Sequence, residues 1–191
     1  YEHSVGLFFP IHIRAEIYLL QKSETLSSAI IETKPTIMTA VPRLYEILHD
    51  RINASYQHKG IINQKILDRA VYLGRKSLQK IPLTLLERIE NSYLNLTVRR
   101  HINARLGGRL KAFVSGGAAL DPNIGYFFLA LNIPILQGYG QTEASPVITA
   151  NPPKKIKIET VGKLLVGVEA KLTKQGEICV RGDLLMKGYW N

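Results

Sequence analysis

The chain has 191 residues, of which 46% are hydrophobic, and its 25 Lys and Arg against 15 Asp and Glu give a net charge of +10. This composition is that of a globular protein with a sizeable core, and it excludes a disordered chain. No apolar run reaches the roughly 20 residues that span a bilayer, and the single Cys179 excludes an internal disulfide.

The first half of the chain is predicted to be mostly helical. Its predicted helices cover 2–13, 25–33, 42–53, 61–80 and 83–105, and its predicted strands cover 15–20 and 36–41. Pro42 suits the first turn of a helix, and Pro82 interrupts the long helical stretch that Gly107-Gly108 ends.

A strand–loop–helix–strand unit follows. A strand over 110–114 leads into a loop at 115–119, and Asp121 caps a helix that runs to about 131. The next strand covers 133–137. Such a unit makes the two strands parallel, so the loops that follow them lie at the same edge of the sheet, where ligands bind in α/β proteins.

Beyond Pro152-Pro153 the pattern changes to short strands over 160–165, 168–173 and 176–180. We therefore expect an α/β fold with a mainly parallel sheet flanked by helices, followed by the start of an antiparallel β-subdomain. The expected domains are an α/β subdomain over 1–152, with a helical insertion at about 54–106, and the beginning of the β-subdomain over 153–191.

The segment from Gln137 to Glu143, Gln-Gly-Tyr-Gly-Gln-Thr-Glu, is the most informative part of the chain. We expect it to form the turn after the strand, with positive φ at its two glycines and with N–H groups close to a ligand. Tyr139 offers a flat ring and Thr142 offers a hydroxyl to an anionic oxygen. Glu143, exposed after the turn, offers the carboxylate that Mg²⁺ prefers beside phosphates. These groups suit a nucleoside triphosphate.

Three segments carry a resemblance to one family. Tyr139-Gly-Gln-Thr-Glu143 resembles the Tyr-Gly-x-Thr-Glu signature of the adenylate-forming (AMP-binding) enzyme superfamily. Ser115-Gly-Gly-Ala-Ala-Leu120 resembles its adenine-side loop, and Gly176-Glu-Ile-Cys-Val-Arg-Gly182, continuing to Tyr189, resembles a third block. Their order matches the family, whose most similar branch is the long-chain fatty acid–CoA ligases.

The resemblance implies a two-step reaction. A carboxylate attacks the α-phosphate of Mg·ATP to give an acyl-adenylate and pyrophosphate, and the thiol of CoA then takes the acyl group. It also implies catalytic roles for Thr142 and Glu143, with Glu143 as the Mg²⁺ ligand. The residues that it implies for ATP or AMP binding are Gly116, Gly117, Ala118, Gly138, Tyr139, Gly140, Gln141 and Thr142.

Val41-Pro-Arg-Leu-Tyr45 resembles the segment that borders the acyl tunnel of fatty acyl-CoA synthetases, which implies that Tyr45 and Gly138 contact the acyl chain. The helical insertion favours a long-chain acid over the medium-chain, aryl and peptide-synthetase branches. The family's phosphate-loop Lys and its C-terminal catalytic Lys have no counterpart in this sequence. We therefore expect the chain to be a central part of the large N-terminal domain, inactive on its own.

The basic surplus leaves one alternative from outside the enzymes, a module that docks on nucleic acid or on an anionic membrane. The basic residues lie scattered through the helical middle of the chain, without the interleaved aromatic residues that stack single-stranded bases. We expect ATP, a fatty acid and CoA as partners, no nucleic acid, and a cytoplasmic location. Peripheral membrane contact and the oligomeric state stay open.

Overall fold

The computed structural model describes residues 2–20 and 22–190, so Tyr1 and Asn191, the outer ends of the expected domains, lie outside it. The helices are α1 (Phe9–His12), α2 (Leu26–Thr33), α3 (Pro42–His58), α4 (Ile61–Leu78), α5 (Leu85–Leu94), α6 (Arg100–Arg105) and α7 (Pro122–Ala130). π-Helical turns at Glu2–Phe8 and Asn95–Arg99 precede α1 and α6, and 3₁₀ turns lie at Ser23–Thr25 and Thr142–Ala144.

The strands form a five-stranded sheet and a separate pair. They are β1 (Ile37–Ala40), β2 (Ala112–Ser115), β3 (Ile135–Tyr139), β4 (Thr149–Ala150), β5 (Lys163–Leu164), β6 (Glu169–Leu172) and β7 (Ile178–Arg181). The sheet has the order β1-β2-β3-β4-β5, in which β1, β2 and β3 are parallel while β4 and β5 are antiparallel to their neighbours. β6 and β7 form an antiparallel pair. The predicted α/β fold with a β-subdomain is confirmed.

The sequence placed one strand wrongly and misjudged several boundaries. Residues 15–20, predicted to be a strand, have no regular structure. A strand needs a neighbour for its backbone hydrogen bonds, and within the described residues β1 pairs only with β2 and no strand pairs with this segment. α3 runs to His58, well beyond the expected end. β5, expected in the β-subdomain, pairs with β4 in the larger sheet. The boundary near residue 152 stays a prediction.

The core lies between the parallel strands and helices α3, α4 and α7. Tyr45 of α3, Phe113 of β2 and Phe128 of α7 are buried and pack as an aromatic cluster, with ring centroids 5.0 Å apart for Tyr45 and Phe113 and 5.3 Å apart for Phe113 and Phe128. Such edge-on and tilted ring pairs stabilise beyond their buried area. The cluster fixes the helices against the strands that carry the candidate site.

A buried arginine in the π-helical turn before α6 connects that turn to α4 and α7. The guanidinium of Arg99, a residue only 3% exposed, donates to the carbonyl oxygens of Ala130 (2.8 Å) and Ala70 (2.7 Å). α4 and α7 approach so closely here that a Cβ on Gly74 would lie 2.2 Å from the Ala130 oxygen. Burial lowers the pKa of Arg99, so its carbonyl partners must offset a real desolvation cost.

Candidate active site

Three strand ends meet at one edge of the sheet. In the register of the parallel strands, Ala40 lies opposite Ser115, and Ser115 lies opposite Gln137. The N–H of Gly116 donates to the carbonyl of Ala40 at 3.3 Å. The loops after β1, β2 and β3 therefore leave the sheet side by side, and both glycine-containing segments fall where α/β sheets bind ligands.

The loop after β2 needs a glycine and is held in place by β3. Gly117 has φ +83°, a conformation that side chains disfavour, and a Cβ there would lie 3.5 Å from Val41. Ala118 is exposed beside it. The N–H of Leu120 donates to Oε1 of the buried Gln137 at 2.7 Å. This bond fixes the predicted adenine loop against the strand that carries Tyr139.

Gln137 positions the segments of the candidate site, a role that the sequence analysis did not assign to it. The side-chain nitrogen Nε2 of Gln137 donates to the carbonyls of Ile158 (3.3 Å) and Thr160 (3.4 Å). The backbone carbonyl of Gln137 accepts from the N–H of Asn151 at 2.9 Å. The signal was present, because a Gln two residues after the buried Ile135 shares that residue's side of the strand. A polar residue at such a position must find partners inside the fold.

The two glycines after Gln137 do not serve the purpose that the sequence suggested. β3 continues through Tyr139, and neither Gly138 nor Gly140 has positive φ. A Cβ on Gly138 would lie 3.0 Å from the Thr149 carbonyl oxygen, and one on Gly140 would lie 1.7 Å from that of Pro146. Neighbouring backbone therefore leaves no room for a side chain at Gly140 and little room for one at Gly138.

Tyr139 faces a small cavity. The tyrosine is half-buried, and Nε2 of Gln141 donates to its hydroxyl at 3.1 Å. The cavity has a volume of about 190 Å³, and its lining is mostly apolar. Its lining residues are Tyr139, Ile148, Thr149, Val161, Leu164, Ala170, Lys171, Leu172 and Ile178. This side of the Tyr139 ring therefore offers an apolar surface against which a flat ligand can pack.

Glu143 contacts the third resembling segment directly. It lies in the 3₁₀ turn after Gly140, half-buried rather than exposed as expected, while Thr142 is exposed. Its carboxylate accepts from the hydroxyl of Tyr189, and its carbonyl accepts from the N–H of Met186 at 2.9 Å. The Tyr189 hydrogen bond, followed by that from the Glu143 backbone N–H, lowers the pKa of Glu143. Tyr189 is a second site residue to which the sequence assigned no role.

These residues fit a divalent cation that relies on its substrate for other ligands. The hydrogen bonds to Glu143 lower its pKa and so favour the carboxylate form that a hard cation binds. Within residues 2–20 and 22–190, no three His, Cys, Asp or Glu side chains are grouped to hold a metal by themselves. Mg²⁺ at Glu143 would thus take most of its ligands from phosphates and water.

The structure does not bring Tyr45 to the surface of the sheet edge. The side chain is fully buried, and its hydroxyl lies 2.8 Å from the Val114 carbonyl and 3.1 Å from that of Met38. It contributes to the aromatic cluster described above. The proposed contact of Tyr45 and Gly138 with an acyl chain stays a prediction.

The AMP-binding enzyme family matches residues 1–190 of the chain. The chain belongs to this family. FadD15 of Mycobacterium bovis, a long-chain-fatty-acid–CoA ligase, is 31% identical over 181 residues, which are 94% of this chain and 30% of FadD15. ACSBG2 of Homo sapiens, also a long-chain-fatty-acid–CoA ligase, is 28% identical over 97% of this chain and 29% of its own length. The chain thus spans about a third or less of these relatives.

Solved structures share the fold of this AMP-binding family member. The anthranilate CoA ligase AuaEII, in complex with anthranoyl-AMP, aligns with a TM-score of 0.61 at 19% identity, over 96% of this chain and 29% of the ligase. The long-chain-fatty-acid-CoA ligase FadD1 of Archaeoglobus fulgidus aligns with a TM-score of 0.58 at 20% identity, over 95% of this chain and 32% of its own. The chain therefore has the fold found in this part of adenylate-forming ligases.

Proposed function

We propose that this chain supplies part of the ATP and acyl-adenylate site of an acid–CoA ligase that acts on long-chain fatty acids. The observation that carries the proposal is the meeting of the Gly116–Ala118 loop and the Tyr139–Glu143 segment at the ends of adjacent parallel strands. Membership of the AMP-binding family supports the reaction class, and relatives named for long-chain fatty acids support the substrate.

Each residue at the sheet edge has a proposed task. Gly117 and Ala118 line the adenine, and Tyr139 packs against it with Gln141 fixing its hydroxyl. Thr142, which is exposed, donates to a phosphate oxygen. Glu143, whose pKa is lowered by the Tyr189 hydroxyl, binds Mg²⁺. The cation, when bound, neutralises charge on the phosphates while the fatty-acid carboxylate attacks the α-phosphate and displaces pyrophosphate.

The test is Glu143→Gln in the whole enzyme. The substitution preserves the size of the side chain and removes the charge that holds the cation. We expect ATP–pyrophosphate exchange to fall by at least about a hundredfold, with little change in melting temperature. Glu32→Gln, which changes an exposed glutamate of α2 outside the three resembling segments, is the matched control and should exchange normally. An unchanged rate for Glu143→Gln would remove the proposed metal role.

A panel of acids separates the branches of the family. Long-chain fatty acids should support pyrophosphate exchange and CoA thioester formation better than medium-chain or aryl acids. Preference for an aryl acid would retain the adenylate-forming reaction and reject the substrate class.

A further inference from the structure

The two glutamates of helix α5 face helix α4. Glu87 accepts from the ammonium of Lys76 at 2.8 Å, and Glu90 forms a two-bond pair with Arg69 at 2.8 and 2.9 Å. Both cations belong to α4, so these pairs hold α5 against it. Only Leu94 of the α5 apolar side chains is buried.

The opposite side of α5 and of the π-helical turn after it is apolar and uncovered in the described residues. Its five large side chains are each 62–78% exposed, and we call them the outer stripe: Leu85, Leu86, Ile89, Tyr93 and Leu96. An amphipathic helix normally buries its apolar face. A contiguous exposed patch of this kind marks a surface that binds something apolar.

The same region holds most of the charge surplus. Residues 59–105 contain ten Lys and Arg against three Asp and Glu, so they account for +7 of the net charge of +10. Two of the three acids, Glu87 and Glu90, are already paired with α4 cations. Arg88 and Arg100 are exposed on the helical run that carries the outer stripe. Arg99, the remaining arginine of 85–100, is buried, so the exposed unpaired charge beside the stripe comes from Arg88 and Arg100 and is positive.

We propose that the outer stripe docks on an anionic lipid surface. Lipid offers both an apolar layer for the leucines and anionic headgroups for the basic residues, which is the binding mode of helices that lie in the membrane interface. Nucleic acid offers the charge without the apolar layer. A second copy of this chain would bring two segments of +7 together, and like charges across an interface oppose association.

This contact is interfacial. No helix within the described residues has the length and apolar character needed to cross a bilayer. The docked helix would lie parallel to the membrane with its apolar side in the headgroup region.

The test measures binding of the chain to phosphatidylcholine vesicles with and without phosphatidylglycerol. The wild-type chain should bind the anionic vesicles better and should be released by salt. The triple variant Leu85→Ser/Leu86→Ser/Ile89→Ser should bind the anionic vesicles at least about tenfold more weakly. Val166→Ser, which changes a fully exposed apolar residue before β6, should bind as the wild type does.

A second variant keeps the test valid if the triple variant has a lowered melting temperature. Arg88→Ala/Arg100→Ala leaves the stripe intact and should weaken binding to anionic vesicles only, whereas the control Lys174→Ala in the β6–β7 turn should not. Hydrogen exchange with vesicles present should slow over residues 85–96.

Four results would overturn the proposal. One is wild-type binding no stronger to anionic than to neutral vesicles. Another is equal binding by a folded triple variant and the wild type. The third is a wild-type chain that is a dimer and a triple variant that is a monomer, with no vesicle binding by either. That result would assign the stripe to contact with a second copy. The fourth is displacement of the chain from vesicles by duplex DNA that contacts the outer stripe, which would reject lipid as the occupant.

Discussion

Glu143 and Tyr189 share a hydrogen bond although 46 residues separate them. Because this bond is the largest cause of the lowered pKa of Glu143, Tyr189→Phe should raise that pKa toward the ordinary glutamate value. A group whose pKa is lower in the folded state stabilises the fold above its unfolded pKa, and this stabilisation is lost as the pH falls through the folded value. The contribution of Glu143 to stability at neutral pH should therefore be smaller in Tyr189→Phe. An NMR titration of the Glu143 carboxyl carbon measures the pKa.

Tyr93→Phe on α5 is the control for that titration and should leave the Glu143 pKa where it is in the wild type. If Tyr189→Phe also leaves it there, the Tyr189 hydroxyl does not lower the pKa of the proposed metal ligand.

Gly140 and Gly138 differ in how much room a methyl group would have. A Cβ on Gly140 would meet a backbone oxygen at 1.7 Å, whereas one on Gly138 would meet a backbone oxygen at 3.0 Å. We expect Gly140→Ala to lower the free energy of unfolding by about 1–3 kcal/mol or more, and Gly138→Ala to lower it by less. Urea unfolding of both variants tests the order, and an equal or smaller effect at Gly140 would contradict it.

At the scale of elements, two ion pairs join α4 and α5. Hydrogen bonds from Lys76 and Arg69 are the largest causes of the lowered pKa values of Glu87 and Glu90. Near about pH 4 the unfolded chain therefore binds more protons than the folded chain, and stability rises with pH through that window. Arg69→Met/Lys76→Met should flatten this rise.

Urea unfolding between acidic and neutral pH measures the rise, and Lys65→Met, an exposed lysine of α4, is the control. A pH dependence in the double variant as steep as in the wild type would mean that the two carboxylates do not carry the effect.

At the scale of the whole molecule, the described site offers ATP only part of what adenylation needs. In the proposed function it would supply a base platform in Tyr139, one hydroxyl for a phosphate in Thr142 and one carboxylate in Glu143. A cation with a single protein ligand is weakly held. Positioning two reactants in line is worth roughly 7–11 kcal/mol in well-oriented reactions. We therefore expect residues 1–191 alone to bind ATP weaker than micromolar and to form no acyl-CoA.

Calorimetric titration with Mg·ATP and a thioester assay with fatty acids of several lengths check this, with whole FadD15 as the positive control. Turnover above a no-protein blank, or micromolar affinity, would show that these residues suffice.

The sequence by itself determined the family and the parallel unit of β2, α7 and β3 with the loops that follow the two strands. Short local patterns carry that information, because Asp121-Pro122 begins a helix and a strand–helix–strand unit makes β2 and β3 parallel, whatever surrounds them. The three resembling segments added the reaction class, and the family match over residues 1–190 agrees with them.

Only the tertiary structure decided what depends on contacts between distant residues. The closeness of the Pro146 and Thr149 carbonyls explains the absence of a side chain at Gly140 and Gly138, and the Tyr189 hydroxyl lowers the pKa of Glu143. The sequence predicted a helix over 83–105, but only the structure shows that the side of α5 with Glu87 and Glu90 faces α4 and that the opposite side faces outward. Periodicity shows that a helix has two faces, whereas the direction of each face depends on the neighbour against which it packs.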